Sequence, residues 1–248
     1  MACDVIERSE FKHLQFVGDS FLRNMFVTLL MLLSDDTERG AWSRNMREDQ
    51  MLYCRHERYI LYEECRDMIR DIRQLRYPEK LCDGHQPNFT VSAKVTYSGK
   101  AREDFINATR DLAGKPGNLV LLGMGIHMGL KADVVISRII EPGLQSRDKF
   151  YANKAMPAAS KWPQIIYVIP MRSGILKPVR YLVRQDDHTL WDFADKVSTY
   201  CRENDIPVLD FRSLTNNVHS FDGGHYGIGV NLMKNQIFLN YLSSLPNS

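Results

Sequence analysis

The stretch "LQFVGDSFLRNMFVTLLMLL", residues 14–33, joins a predicted strand directly to a predicted helix. Leu14–Val17 is a short apolar run typical of a buried strand, and Gly18 ends it. After the turn, apolar side chains recur at helical spacing with further apolar residues between them, which predicts a helix covered on most sides. The helix-spaced apolar residues are Leu22, Met25, Phe26, Leu29 and Leu33.

The rest of the chain repeats this alternation of strands and helices. Further strands are predicted at 58–62, 91–97, 119–122, 164–170 and 206–211, and helices at 63–74, 101–112, 132–140, 189–204 and 229–242, with Pro142 expected to end the third of these helices. Apolar strands alternating with helices indicate an α/β fold, a three-layer α/β/α sandwich around a mainly parallel sheet. Residues 1–248 are expected to form a single domain, with 137–162 as an irregular, polar insertion over the site.

Composition is that of an ordinary soluble globular protein. The 248 residues are 44% hydrophobic and 25% charged, with a formal net charge of +2. No block of Lys and Arg is present, so nucleic acid is not expected as a partner. The apolar run Met25–Leu33 is too short to cross a bilayer, and the first residues lack the apolar region of a signal peptide. The sequence is also compatible with a catalytic domain of a longer, membrane-anchored protein, and it does not indicate an oligomeric state.

Five cysteines leave the redox state open. An odd number favours reduced, buried thiols. Cys54, Cys65 and Cys82 lie near His56 and His85, but their spacing matches no common zinc pattern, so no metal and no cofactor are expected. A disulfide among these three cysteines is the stronger alternative if the protein resides in an oxidising compartment. The fifth and first cysteines are Cys201 and Cys3.

Two segments carry residues suited to nucleophilic catalysis. Asp19 and Ser20 fall at the strand-to-helix turn, where helix N–H groups favour developing negative charge, although Asp and Ser are also common helix caps. Near the other end, "HSFDGGHYG" (219–227) places Asp222 three residues before His225. An Asp so spaced can hold the imidazole Nδ1–H and leave Nε2 free to accept a serine proton, while an Asx turn is the simpler alternative. Because ligands bind beyond the carboxyl ends of parallel strands, both segments are expected at one edge of the sheet.

"FVGDSFLRN" (16–24), the leucine-rich helix after it and "DGGH" (222–225) together resemble the SGNH/GDSL hydrolase superfamily. They are most similar to its PC-esterase branch, which includes the trichome-birefringence-like glycan O-acetyltransferases. The resemblance covers both ends of the chain, whereas residues 40–160 match only in pattern. It implies a flavodoxin-like hydrolase fold, with Ser20 as the nucleophile and Asp222 and His225 as its catalytic partners.

The middle strand, predicted at 119–122, runs into "LGMGIHMG" (122–129), where the family places an oxyanion hole. No asparagine follows this strand directly, which departs from the family pattern. The N–H groups of Ser20 and Gly125 are the leading oxyanion donors. Arg23, one turn beyond Ser20, could place a guanidinium at the same mouth; Asp19 and His127 are further candidates for oxyanion or substrate binding. A dinucleotide site at these glycines is disfavoured because their spacing is not G-x-G-x-x-G.

The sequence therefore predicts an enzyme that transfers or hydrolyses an acyl ester through an acyl-serine. The resemblance favours an acetyl group, a carbohydrate substrate and an acyl donor, with a Golgi or secretory location; an SGNH esterase acting on a small or lipid ester in the cytoplasm, or an inactive glycan-binding relative, are the alternatives. Trp42, Trp162 and Trp191 are candidates for stacking on sugar rings, although each type is more often a core or rim residue.

Overall fold

Five short segments pair side by side, all in parallel, in the order β2-β1-β3-β4-β5. The computed structural model describes residues 2–65, 68–153, 156–157, 160–174, 176–220 and 222–245. This strand order is that of flavodoxin-like folds, so the predicted α/β class and parallel sheet are confirmed. The strands are β1 His13–Gly18, β2 Thr90–Val95, β3 Asn118–Gly123, β4 Gln164–Val168 and β5 Val208–Leu209.

Helices cover both faces of the sheet and connect its strands. They are α1 Ala2–Arg8, α2 Ser20–Leu33, α3 Glu48–Tyr53, α4 Glu57–Leu61, α5 Ala101–Asp111, α6 Ala132–Val135, α7 Glu141–Asp148, α8 Val179–Gln185, α9 Asp187–Glu203 and α10 Ile228–Ser244. In α2 every residue but Leu32 is buried, as its nearly continuous apolar sequence predicts. No helix in the described ranges has both the length and the hydrophobicity to cross a membrane.

Alternating side chains of the central strands feed two separate cores. In β1, Leu14 and Phe16 join the core under α1, α2 and α10, whereas Val17 joins the core under α5 and α9. In β3, Leu119 and Leu121 face the first core and their neighbours face the second. This two-sided burial explains why these strands read as continuous apolar runs rather than alternating ones.

Two predicted elements between residues 57 and 74 are wrong. Residues 58–62 were expected as a strand, but 58–61 belong to α4 and Tyr62 is its C-cap, because so short an apolar run does not distinguish a strand from a helical turn. Residues 63–74 were expected as one helix. The described part contains only the 3₁₀ turns Glu63–Cys65 and Ile72–Gln74, the second of them capped by the Asp71 carboxylate.

The helix predicted at 132–140 does not end at Pro142. A π-helical turn, Ile136–Ile140, links α6 to α7, which continues to Asp148. Pro142 lies in the first turn of α7, where its missing N–H is tolerated. The last predicted strand is also shorter than expected: only two of residues 206–211 pair as β5.

The segment 137–162 does not cover the carboxyl ends of the strands, contrary to expectation. Its helical part packs on α5, where a Cβ at Gly143 would lie 2.2 Å from Cε1 of Phe105. Further on, the Trp162 N–H donates to the Tyr151 hydroxyl at 2.9 Å, and the Trp162 ring packs against Phe11, which precedes β1. These last contacts place Tyr151 and Trp162 near the amino end of β1. Lys154, Ala155, Ala158 and Ala159 lie outside the described residues.

Four cysteines form disulfides, so the expectation of reduced thiols is wrong for them. Cys54 pairs with Cys65, and Cys82 pairs with Cys3 rather than with a nearer cysteine. The contact between α1 and the Pro78–Gly84 turn, which spacing alone does not reveal, brings Cys3 and Cys82 together. These sulfurs are therefore not available as zinc ligands. Cys201 is a buried free thiol.

Candidate active site

The turn after β1 brings the start of α2 unusually close to the sheet. A Cβ at Gly18 would lie 2.3 Å from the Gly123 carbonyl oxygen, and a Cβ at Gly123 would lie 1.9 Å from Cδ2 of Leu22. Glycine at both strand ends therefore lets Leu22 seat the first turn of α2 against them. Asp19 caps this helix, its Oδ1 accepting the Phe21 N–H at 3.0 Å. Ser20 follows as the first helical residue.

The turn at 222–225 is built around the Asp222 carboxylate. Its Oδ1 accepts the N–H groups of Gly224 at 2.9 Å and His225 at 2.7 Å, which is an Asx turn. Gly223 has a φ of +77°, and a Cβ there would lie 2.0 Å from the backbone nitrogen of Lys177. The two glycines thus permit both the backbone conformation and the close approach of Leu176 and Lys177. The Asx turn, the simpler of the two alternatives, is present.

The same carboxylate also reaches the imidazole, and the imidazole reaches Ser20. His225 Nδ1 lies 2.6 Å from Asp222 Oδ2, and His225 Nε2 lies 2.6 Å from Ser20 Oγ. The Phe21 ring stacks on the imidazole with centroids 5.6 Å apart. Two side chains 205 residues apart in sequence therefore meet at one edge of the sheet.

Electrostatics keep Asp222 in its anionic form. Partial burial acts to raise its pKa, but hydrogen bonds from the His225 ring, the His225 N–H and the Gly224 N–H outweigh it, so the pKa of Asp222 lies well below its usual range. An ionised carboxylate on Nδ1 fixes the tautomer in which Nε2 accepts a proton. The arrangement can therefore remove the proton of the Ser20 hydroxyl.

A pair of fully buried ionisable residues, Asp19 and Lys234, lies behind the turn that follows β1. Burial raises the pKa of Asp19 to about 7, against the opposing effects of the Phe21 N–H, Lys234 and Arg23. Burial likewise lowers the pKa of Lys234 to about 7, opposed by Asp19. Lys234 Nζ donates to the Phe21 carbonyl at 3.3 Å. Asp19 and Lys234 thus hold the two backbone groups of Phe21, whose ring stacks on His225.

Ser20 and His225 open into a cleft of about 350 Å³. The cleft lies between the turns that follow β1 and β3, the turn at 222–225 and the helix α8. Its lining residues are Ser20, Phe21, Ile126, His127, Lys177, Pro178, Tyr181, Gln185, Asp222, Gly224 and His225.

The other predicted site residues have different positions. His127 lines the cleft, with its ring 4.8 Å from that of Tyr97 and its pKa lowered by burial and by nearby His225 and Lys177. Gly125 is buried just behind the lining, at the start of the turn that carries Ile126. Arg23 does not reach the mouth: it is 2% exposed, and its guanidinium donates to Asn24 Oδ1 and the Ile60 carbonyl.

The tryptophans do not line the cleft. Trp42 is buried and donates to the Cys54 carbonyl, and Trp162 lies at the opposite edge of the sheet. Trp191 is half-exposed, with the Arg212 guanidinium 3.7 Å from its ring centroid.

Sequence reasoning missed α8 and the residues it contributes. Pro178, Tyr181 and Gln185 lie on one face of α8, which lines the cleft. The spacing of these three residues, at i, i+3 and i+7, is a helical signal. The signal is weak because apolar and polar residues do not separate onto two faces of α8. This helix has no buried residue, and Val179 and Val183 are exposed.

Comparisons with known proteins give similar structures but no sequence relatives. No family profile matches the chain, and no curated protein matches it. An aryl esterase from M. smegmatis is 13% identical, with a TM-score of 0.47 over 95% of this chain and 100% of that one. A carbohydrate acetylesterase from Sinorhizobium meliloti is 11% identical, with a TM-score of 0.46 over 95% and 100%. A lipolytic G-D-S-L family member from Veillonella parvula is 10% identical, with a TM-score of 0.43 over 94% and 99%. At these values, the chain's own geometry carries the functional argument.

Proposed function

We propose that this protein is a serine esterase or acyltransferase in which Ser20, His225 and Asp222 form a catalytic triad. The observation that carries the proposal is the continuous hydrogen-bonded path from Ser20 Oγ through both imidazole nitrogens to Asp222, with both distances 2.6 Å. If Ser20 only capped the helix, its hydroxyl would need no contact with His225. If Asp222 only formed an Asx turn, its second oxygen would need no contact with the imidazole. The opening of the pair into a cleft gives a substrate access.

The reaction follows from the roles of these groups. Ser20 Oγ attacks the ester carbonyl while its proton passes to His225 Nε2, and Asp222 stabilises the imidazolium. The tetrahedral intermediate collapses when its C–O bond breaks and His225 returns the proton to the leaving alcohol, which leaves an acyl-serine. Water or a sugar hydroxyl, deprotonated by His225, then resolves that ester. The Ser20 N–H at the start of α2 and the Gly125 N–H are the proposed oxyanion donors, and His127 the proposed substrate contact.

We assign the chain to the SGNH/GDSL superfamily on three grounds: the Gly-Asp-Ser turn after β1, the Asp-Gly-Gly-His turn before α10, and the flavodoxin-like strand order. The PC-esterase resemblance favours an acetyl group on a carbohydrate. The two disulfides support an oxidising compartment such as the secretory lumen over the cytoplasm. An esterase acting on small or lipid esters is the second candidate, because Ile126, Pro178 and Tyr181 give the cleft an apolar part.

Hydrolysis of p-nitrophenyl acetate tests the proposal. We expect turnover by the wild-type protein and a loss of about a thousandfold or more in Ser20→Ala. Ser213→Ala, which changes a serine outside the cleft, is the matched control and should retain turnover. Full activity in Ser20→Ala would refute the proposal. Release of acetate from acetylated polysaccharides, compared with release from short-chain lipid esters, separates the two substrate classes.

A further inference from the structure

Lys177 places a cation beside the proposed catalytic groups. It lines the cleft together with Ser20, Asp222 and His225. Its backbone N–H donates to the Gly174 carbonyl, and its Nζ lies 3.5 Å from the position of a Cβ built on Gly224. On its other side, Nζ lies 5.8 Å from the centroid of the Tyr181 ring. The half-buried side chain is therefore held over the Asp222–His225 turn, facing the cleft.

Among the described residues this cation makes no salt bridge, although it interacts electrostatically with Asp222. Throughout the described ranges, no carboxylate lies within 4 Å of Lys177 Nζ. The nearest acidic group in the cleft is Asp222, whose two oxygens already accept hydrogen bonds from the His225 ring and two backbone N–H groups. The other lining residues are neutral or are histidines. A half-buried ammonium group with no carboxylate within 4 Å favours an anionic group on a ligand that enters the cleft.

The position of Lys177 also indicates which part of the substrate carries the anion. In triad chemistry the histidine delivers a proton to the leaving alcohol, so the alcohol part lies on the histidine side of the serine. Lys177 lies on this side, above the turn that holds His225. In the proposed reaction the acyl part would therefore point away from Lys177.

We propose that Lys177 binds an anionic group on the alcohol part of the ester, so that the substrate is an acyl ester of an acidic alcohol, such as a carboxylated or phosphorylated sugar. Carboxylate and phosphate present the same chemistry to an ammonium group, and the choice between them belongs to the test. This inference rests on the proposed function for the orientation of the ester, but the anion preference itself is measurable without turnover.

Three acetyl esters that differ only in the alcohol part provide the kinetic test. They are 4-acetoxybenzoate, 4-acetoxyphenyl phosphate and the neutral 4-acetoxybenzamide. We expect kcat/KM for at least one anionic ester, relative to the neutral one, to fall about tenfold in Lys177→Met compared with wild type. Lys177→Arg should largely restore the ratio. The matched control is Arg184→Met, which removes a positive charge from the exposed side of α8 and should leave the ratio unchanged. Which anionic ester shows the effect distinguishes carboxylate from phosphate.

A binding measurement keeps the inference separate from the proposed catalysis. NMR titration of Ser20→Ala protein with 4-hydroxybenzoate, 4-hydroxyphenyl phosphate and 4-hydroxybenzamide compares the alcohol products alone. Tighter binding of an anionic alcohol that is lost in Ser20→Ala/Lys177→Met supports the inference, even if the wild-type protein hydrolyses no ester. The absence of hydrolysis would refute the proposed function and not the anion preference. Equal binding of all three alcohols, or a preference that survives Lys177→Met, overturns the inference even in an active esterase.

Discussion

Serine is a weak nucleophile until a base removes its proton, and in the proposed triad that base is His225, whose Nε2 lies 2.6 Å from the Ser20 hydroxyl oxygen. The base in turn has an ionised carboxylate on its other nitrogen. Each residue of this path has a simpler structural role that the sequence alone equally allows. Only their meeting in space separates catalysis from capping.

The losses of activity caused by mutating Ser20, His225 and Asp222 should not be additive. Ser20→Ala and His225→Ala should each remove most of the turnover, and Asp222→Asn should lower kcat by about a thousandfold or more, because it loses the charge that fixes the imidazole tautomer. The double variant Ser20→Ala/His225→Ala should be little worse than Ser20→Ala, since the residues act as one unit. Steady-state kinetics on p-nitrophenyl acetate measure this, and multiplicative losses would argue against a triad.

Asp19 should make the fold less stable as pH rises. Burial raises its folded-state pKa to about 7, above the ordinary value of 3.8. Between these values the unfolded chain releases a proton that the folded protein retains, so the free energy of unfolding falls with increasing pH across this window. Asp19→Asn should flatten this part of the curve, as measured by urea denaturation between pH 4 and 7. Asp192→Asn, at an exposed position, is the control; an unchanged slope in Asp19→Asn would contradict the assignment.

At the scale of elements, the glycines of the 222–225 turn have a structural requirement of their own. Gly223→Ala should destabilise the protein by at least about 1–2 kcal/mol, because φ is +77° and the new Cβ would meet the Lys177 backbone. It should also lower activity by displacing His225. Gly229→Ala in α10, where a Cβ meets no atom within 4 Å, should leave stability unchanged or raise it by up to about 1 kcal/mol. Equal thermal shifts in the two variants would contradict this view of the turn.

Apolar periodicity predicted the strands and helices whose buried residues recur at regular spacing. It did not predict the segments whose burial depends on contacts with distant residues. The strands β1, β3 and β4 and the helices α2, α5, α9 and α10 follow apolar patterns that tertiary packing reinforces. The described residues of 57–74 do not follow such a pattern: a disulfide links Cys65 to Cys54, and the Asp71 carboxylate caps a short turn. The helix α8 was missed because it buries no residue.

At the scale of the molecule, two disulfides close loops of very different length. Cys3 and Cys82 are 79 residues apart, whereas Cys54 and Cys65 are 11 apart. By the loop-entropy model, removing the longer link by Cys3→Ala/Cys82→Ala should cost about 4.5 kcal/mol, and removing the shorter by Cys54→Ala/Cys65→Ala about 3 kcal/mol. Urea denaturation of both variants measures the difference. A larger loss from the shorter link would show that local contacts outweigh loop closure.

The sequence predicted that Ser20 and His225 lie at the same edge of the sheet, but it did not predict which residues line the cleft around them. A parallel sheet follows from alternating strands and helices, and the carboxyl edge of such a sheet is where Ser20 and His225 were expected to meet. Their hydrogen bond, the burial of Arg23 and the cation supplied by Lys177 depend on how loops pack on the sheet, which no local pattern encodes.

Covalent labelling tests the central claim most directly. A fluorophosphonate reacts with a serine hydroxyl only where a base activates it, and mass spectrometry of the digested protein identifies the modified peptide. We predict a stoichiometric adduct on Ser20 that disappears in His225→Ala although the serine is still present. Labelling of wild type at another residue, or equal labelling of Ser20 in His225→Ala, would contradict an imidazole-activated nucleophile.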